Sequence, residues 1–375
     1  MTGPIYSFYD SFPELKPLRN KIHILFASTH KDHAFLSRPT KDILREARDA
    51  FAQQKRIVFY NSSETFIPQL VHKVQRVAEL LHEIPREFLF FSVGCPDGQK
   101  FYDALCEKHK WPNKLNILSS HMFEYSIKTF YRGAEWYLGD ESYKYEVKRK
   151  DKLFVCFNKL HRKHRLQLLA ESIRNGWIHK SYYSFEGTDN WINKMKFHPI
   201  SEQDKETILS VKNIFPLRLN ITEDRINPVN LDPSDLIYHS NSYFSIVMET
   251  IMGPYDPKDY LLEYMNTLFL SEKIYKPFAF KHPFIAFAWP GTLKFLRERG
   301  YKTFHPFINE SYDDEPDYTK RFKMLIEEIK RLEKFTDDQW LEWQENIKPI
   351  VEHNAKYLRE LEEHRCGPPV DHLFR

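Results

Sequence analysis

The feature that most constrains the fold is a regular alternation of short β-rich runs with amphipathic helical patterns along most of the chain. Between residues 1 and 130, apolar side chains such as Leu70, Val74 and Val77 recur at helical spacing. The runs between these helices are rich in β-branched and aromatic residues and are predicted to be buried strands: 22–28, 56–60, 88–93 and 115–119. Such alternation predicts a parallel sheet covered on both faces.

The second half repeats this rhythm. The strands predicted there are 153–158, 181–185, 243–248, 283–289 and 302–305. Helices are predicted from about His164, Ser201 and Ser271, and two long helices close the chain. A chain of 375 residues exceeds the roughly 250–300 at which a single core stops growing. We therefore predict an α/β protein with Rossmann-like domains at 1–150 and 151–335, and a C-terminal helix, 336–375, that packs back across both.

The charge balance and cysteine usage restrict the class of protein. With 55 basic and 52 acidic residues, the net charge of +3 gives no strong field toward nucleic acid or anionic lipid, although a local basic patch remains possible. The four cysteines show no zinc-type spacing, and two of them lie in apolar runs typical of buried strands or helices, so we expect free thiols in a reducing compartment. Neither an export signal nor an apolar run of roughly 18 residues is evident, so we expect a soluble, cytoplasmic protein without a membrane span.

Several common catalytic signatures are missing from the sequence. The 11 glycines never form the G-x-G-x-x-G or G-x-x-x-x-G-K patterns of dinucleotide and P-loop sites. No D-x-D pair is available to hold a divalent ion, and the H-x-x-H pairs His30/His33 and His161/His164 lack further ligands at metal-site spacing. No metal or other cofactor is expected. A phosphate-bearing substrate would then need cationic side chains or helix N-termini.

Two segments supply such groups at predicted strand ends. Asn158, Lys159 and Arg162 lie between a strand and the next helix, where doubly wound sheets bind ligands. The alternative is a solvated basic loop. Further along, Glu249 ends a strand and Glu272-Lys273 opens a helix, so that a carboxylate could accept ribose hydroxyls and a lysine could meet a diphosphate. Alternatively, Glu272 only complements the helix dipole.

These segments, together with 283–300 and Glu310-Ser311-Tyr312-Asp313, resemble a family of glycosyltransferases found in bacteria and large DNA viruses and related to the α1,3-fucosyltransferases. The likeness covers about 160 residues of the C-terminal half. It implies the GT-B fold, in which two Rossmann-like domains face each other across a cleft. In the wider group, the pattern Tyr-x-(Ser/Thr)-Glu-Lys followed by an apolar helix and a Pro-containing strand forms the nucleotide-sugar site.

The resemblance also implies roles for individual residues. Glu272 would hold the donor ribose and Lys273 the diphosphate, with Arg162 as a second phosphate ligand. Glu249 would face the donor sugar. Phe269 stands where the family has the tyrosine that stacks near the base, which leaves the base contacts and the donor open.

A general base that takes the proton of the acceptor hydroxyl is expected from the first half, at the carboxyl end of a strand. The candidates are His30, Glu64 and Asp97, and each could equally be an ordinary loop residue.

The sequence thus predicts a metal-independent hexosyl or pentosyl transferase that moves a sugar from a nucleotide-diphosphate donor to a hydroxyl of a glycan-type acceptor. One alternative is a transferase acting on a modified DNA base of a viral genome, with the basic run 148–152 touching phosphates. Another is a non-catalytic interaction protein on the same fold.

Overall fold

The computed structural model describes residues 13–26, 38–60, 68–119, 124, 144–158, 161–185, 200–217, 219, 235–253 and 267–361. The chain divides into two compact units that are both discontinuous in sequence. The first unit comprises Met1–Tyr125, Pro254–Phe269 and Leu361–Arg375, and the second comprises Ser126–Gly253 and Leu270–Glu360. Within the described ranges, no helix is both long enough and apolar enough to cross a membrane.

The first unit contains a parallel four-stranded sheet. Its elements are β1 (Ile22–Phe26), α1 (Thr40–Ala52), β2 (Arg56–Tyr60), α2 (Pro68–Leu80), β3 (Leu89–Val93), α3 (Gly98–His109) and β4 (Asn116–Ser119), with 3-10 helices at Pro13–Lys21 and Arg86–Phe88. The strands pair in the order β1-β2-β3-β4. All four strands predicted for this half are confirmed.

The two faces of the first sheet are covered by unlike layers. One face, with Phe59 and Phe91, packs against apolar residues of α1, α2 and α3. Sheet order equals chain order, and right-handed crossovers place successive helices of such a sheet on one side. The other face, with Val58 and Phe90, packs against Leu15 of the N-terminal 3-10 helix. The predicted coverage of both faces is therefore confirmed.

The second unit holds the other parallel four-stranded sheet, in the order β6-β5-β7-β8. Its elements are β5 (Lys152–Asn158), α4 (Lys163–Arg174), α5 (Trp177–Lys180), β6 (Tyr182–Phe185), α6 (Glu202–Ser210), α7 (Leu236–Ser240), β7 (Ser242–Met248), α8 (Glu272–Ala279), β8 (Phe284–Phe287), α9 (Thr292–Glu298), α10 (Tyr318–Glu333) and α11 (Asp337–Glu360), with 3-10 helices at Lys212–Ile214 and Ser311–Asp314. The protein is thus α/β with two parallel sheets.

One predicted strand, 302–305, is wrong. Side chains satisfy the backbone groups that a sheet would have paired: the amide of Lys302 donates to Asn354 Oδ1 (2.8 Å), and its carbonyl accepts from Asn354 Nδ2 (2.8 Å). Asn354 lies on α11, which also packs against this unit through Trp340, stacked on Tyr243 with ring centroids 4.0 Å apart. The segment belongs to neither of the two described sheets.

Candidate functional site

The strand order of the second sheet creates a topological switch point. From β5 the chain passes to β6 on one side and then returns to β7 on the other side of β5. The connections that leave β5 and β7 therefore diverge, and open parallel sheets bind ligands at the carboxyl ends of such strand pairs. In the first sheet the four described strands follow chain order, and no reversal occurs among them. The second sheet is accordingly the one that positions a candidate site.

On the β5 side, the site contains Asn158 and Arg162. Asn158 is the last residue of β5 and is buried. Its backbone amide donates to Ser184 Oγ (3.3 Å), whereas its side-chain Oδ1 has no hydrogen-bond partner among the described residues. Arg162 is the extended residue before α4, and its side chain makes no cap hydrogen bond. Its Nη1 donates to the carbonyl of Thr250 (3.1 Å), the second residue after β7. Arg162 therefore bridges the two diverging strand ends.

On the β7 side, Glu249 follows the strand and has no exposed surface. Its Oε1 accepts a hydrogen bond from the amide of Ser271 (2.9 Å), and its Oε2 accepts one from Ser271 Oγ (2.7 Å). Burial raises the pKa of the Glu249 carboxyl, while the nearby charge of Lys273 opposes that shift. A ring nitrogen of His164, in the first turn of α4, lies 2.9 Å from the carbonyl oxygen of Glu249. The end of β7 is thereby tied to the starts of both α4 and α8.

Lys273 carries the accessible charge at the start of α8. Its Nζ lies 2.7 Å from Glu272 Oε1 and 3.0 Å from Ser271 Oγ. The Glu272 side chain is 3% exposed and that of Lys273 is 30% exposed. An incoming anion can therefore reach the ammonium group, whereas Glu272 becomes available only when Lys273 moves away from it.

The structure places most of the predicted donor-binding residues at the carboxyl ends of β5 and β7: Asn158, Arg162, Glu249, Glu272 and Lys273. Lys159 lies outside the described residues. Both oxygens of Glu249 are engaged with Ser271, which favours a positioning role for this residue over a contact with the donor sugar. Phe269 is fully buried, so its ring offers no surface on which a base could stack.

Of the three candidates for the general base, the structure describes Asp97. It follows β3 at the start of α3 in the first unit, and it accepts a hydrogen bond from the hydroxyl of Thr267. His30 and Glu64 lie outside the described residues.

The N-terminus of α9, which follows β8, is already occupied by a carboxylate of the protein. Asp313 Oδ1 accepts from the amide of Leu293 (3.0 Å), and its Oδ2 accepts from the amide of Lys294 (2.9 Å). The N-terminus of α9 is therefore not available to a phosphate. Asp313 belongs to the sequence motif 310–313, but nothing in that motif indicates that it caps α9. The role of Thr250 is not evident from the sequence either, because a backbone carbonyl leaves no signal in the residue type.

The basic run 148–152 is engaged in local contacts. Its partners are Glu146 for Lys148 (2.6 Å), Asp337 for Arg149 (3.0 Å), the carbonyl of Ser240 for Lys150 (2.8 Å) and the carbonyl of His179 for Lys152 (2.9 Å). Burial lowers the pKa of Lys150 to about 8. These contacts do not favour the DNA-phosphate role considered from the sequence.

Metal ligands do not cluster in the part of the chain that the structure describes: no group of three or more His, Cys, Asp or Glu side chains is placed to hold an ion there. Comparison of the chain with protein-family models, curated proteins and solved structures finds no match. The function is therefore inferred from the geometry of the second unit and from the resemblance noted in the sequence.

Proposed function

We propose that the second unit binds the diphosphate of a nucleotide sugar at the carboxyl ends of β5 and β7, and that the protein is a metal-independent GT-B glycosyltransferase. The observation that carries the proposal is the position of Arg162 and Lys273 on the two sides of one topological switch point. Arg162 is itself the N-cap residue of α4, and its side chain does not cap that helix. The sugar and its transfer to a hydroxyl of a glycan-type acceptor come from the resemblance.

The chemistry asked of these groups is electrostatic. When the bond between sugar and diphosphate breaks, negative charge develops on the departing nucleoside diphosphate. The Arg162 guanidinium, the Lys273 ammonium and the first-turn amides of α4 are donors fixed before the reaction begins, so they stabilise that charge without a metal ion. Lys273 exchanges its contact with Glu272 for a contact with a phosphate oxygen. Glu272 then accepts hydrogen bonds from the ribose hydroxyls.

Glu249 acts in this scheme as a positioning residue. Its two hydrogen bonds hold Ser271, and Ser271 in turn accepts from the amide of Lys273 (3.4 Å) at the start of α8. The carboxylate thus sets where α8 begins and where Lys273 projects.

The first unit is proposed to bind the acceptor, as the N-terminal domain does in the family that the sequence resembles. Asp97 is its described candidate for the general base, because it lies at the carboxyl end of β3. His30 and Glu64 stay predictions.

Ligand binding tests the proposal directly. Uridine, guanosine and adenosine diphosphate sugars are titrated into the full chain by calorimetry and by thermal shift, where a ligand at 100 times its Kd adds about 2.7 kcal/mol of stability. We expect one class of donor to bind, and Arg162→Ala and Lys273→Ala each to weaken it about tenfold or more. Release of the nucleoside diphosphate should persist in EDTA.

The matched control is Lys180→Ala. Lys180 belongs to the same unit and pairs with a glutamate, Glu333 (2.7 Å), but it precedes β6 at the amino edge of the sheet. Its removal should leave donor affinity unchanged. A wild-type chain that binds none of the donors, or Arg162→Ala and Lys273→Ala variants that bind as the wild type does, would refute the proposal.

A further inference from the structure

Trp289 is a large aromatic residue just beyond the carboxyl end of β8. It is half-buried, two residues beyond Phe287, the last residue of β8. Among the described residues, no aromatic ring or cation lies against its indole. The other described tryptophans all have such partners or hydrogen bonds: Trp111 with His109, Trp177 with Glu333, Trp340 with Tyr243, and Trp343 with Trp340. Among the described residues, the half-buried side chain of Trp289 therefore has no aromatic, cationic or hydrogen-bonding partner.

The backbone that carries this ring is held firmly. The hydroxyl of Thr292 donates to the carbonyl of Trp289 (2.6 Å), and the amide of Gly291 donates to the carbonyl of Asp313 (2.8 Å). Gly291 turns the chain with a φ of +80°, a conformation open to glycine. An aromatic surface on a fixed backbone can bind a flat partner with little loss of conformational entropy.

Trp289 follows the strand that neighbours the candidate site. β8 pairs in parallel with β7, with Met248 opposite Phe287, and the amide of Glu249 donates to the carbonyl of Phe287 (3.1 Å). Glu249 and Trp289 therefore emerge from neighbouring strands, which lie about 4.8 Å apart in a sheet, at the same edge. Asp313 occupies the N-terminus of α9, so the β8 end of this edge carries the aromatic residue Trp289, whereas the β5 end carries the cation Arg162.

The order of groups along the edge matches the order of groups in a nucleotide. Arg162 lies at the β5 end, Glu272 and Lys273 follow near β7, and Trp289 lies at β8. A nucleoside diphosphate presents diphosphate, ribose and aromatic base in that succession. Base–aromatic stacking suits such a site because every base has a π-face.

We infer that Trp289 stacks on the base of the donor nucleotide, so that the donor lies along the carboxyl edge of the second sheet with its diphosphate toward Arg162 and its base toward β8. This inference rests on the proposed function and adds the base subsite to it. It gives Trp289 the stacking role for which the sequence had suggested Phe269.

Calorimetric titration of the full chain with UDP, GDP, ADP and inorganic pyrophosphate tests the base subsite. Trp289→Ala should weaken the best-binding nucleoside diphosphate about tenfold or more. Pyrophosphate affinity should stay unchanged, because its contacts lie at β5 and β7. Trp289→Phe should recover most of the nucleotide affinity. Trp111→Ala, which removes a half-buried tryptophan of the first unit, should change neither titration.

The outcomes separate this inference from the proposed function. Unchanged nucleotide affinity in Trp289→Ala would overturn the base subsite and leave the diphosphate site standing. An equal loss of nucleotide and pyrophosphate affinity would overturn it as well, since the effect would then not concern the base. A wild-type chain that binds none of the four probes would overturn both.

Discussion

Gly300 occupies a backbone position where any side chain would cause two kinds of strain. Its φ is +102°, and a Cβ placed there would lie 2.7 Å from Tyr357 Oη. Gly300→Ala should destabilise the second unit by about 3 kcal/mol, as the sum of a left-handed backbone and an overpacked contact. Gly176 has a φ of +69° with open space around it, so Gly176→Ala should cost about 1 kcal/mol. Equal losses in urea unfolding would contradict the role given to Tyr357.

The starts of α6 and α8 look alike in sequence, since each begins after a serine, but they differ in the structure. Ser201 caps α6 by accepting a hydrogen bond from the amide of Asp204 (3.1 Å), and Ser271 caps α8. Ser201→Ala should cost about 1 kcal/mol, the usual loss of a cap. Ser271→Ala should cost about 3 kcal/mol, because the buried Glu249 carboxylate also loses a hydrogen-bond donor. Urea unfolding at pH 7 measures both, and similar losses would show that Glu249 does not depend on the hydroxyl.

Periodicity alone was sufficient to find the eight strands that the structure describes, because each is a short, mostly apolar run rich in β-branched and aromatic residues. It failed at 302–305, which has strand-like composition but bonds to the side chain of Asn354, 52 residues away from Lys302. A local pattern cannot reveal a partner at that separation. The same holds for the carbonyl of Thr250 that fixes Arg162.

The stability of the whole molecule should fall at acid pH, because several histidines are buried. Three histidines of the second unit, His164, His239 and His282, are buried, and burial lowers their pKa values, that of His282 to about 3. Below pH 6.5 these histidines take up protons in the unfolded chain but stay neutral in the folded protein. Their contribution to the free energy of unfolding is therefore fully present above that pH and is lost as the pH falls. Each histidine contributes a slope of about 1.4 kcal/mol per pH unit. Urea unfolding between pH 7 and pH 5 should show the combined slope.

His282→Gln tests this account of the acid limb. Glutamine can still donate to the carbonyl of Ser242, which lies 2.9 Å from His282 Nε2, but it cannot take up a proton. The variant should lose stability less steeply with falling pH than the wild type. His82→Gln, at a side chain that is 81% exposed, should leave the slope as it is. Parallel slopes in His282→Gln and the wild type would mean that this histidine does not drive the acid transition.

Local sequence patterns were enough to find most of the secondary structure, with the exception of 302–305, and the residue types from which a site could be made. Strand and helix periodicity, caps and short motifs are properties of neighbouring residues. The strand order β6-β5-β7-β8 was decided by the tertiary structure, and with it the meeting of Arg162 with Thr250 and of Glu249 with Ser271. The tertiary structure also buried Phe269 fully and left Trp289 half-buried. These outcomes depend on packing and hydrogen bonding between residues far apart in the chain, and no local pattern encodes which distant groups become neighbours.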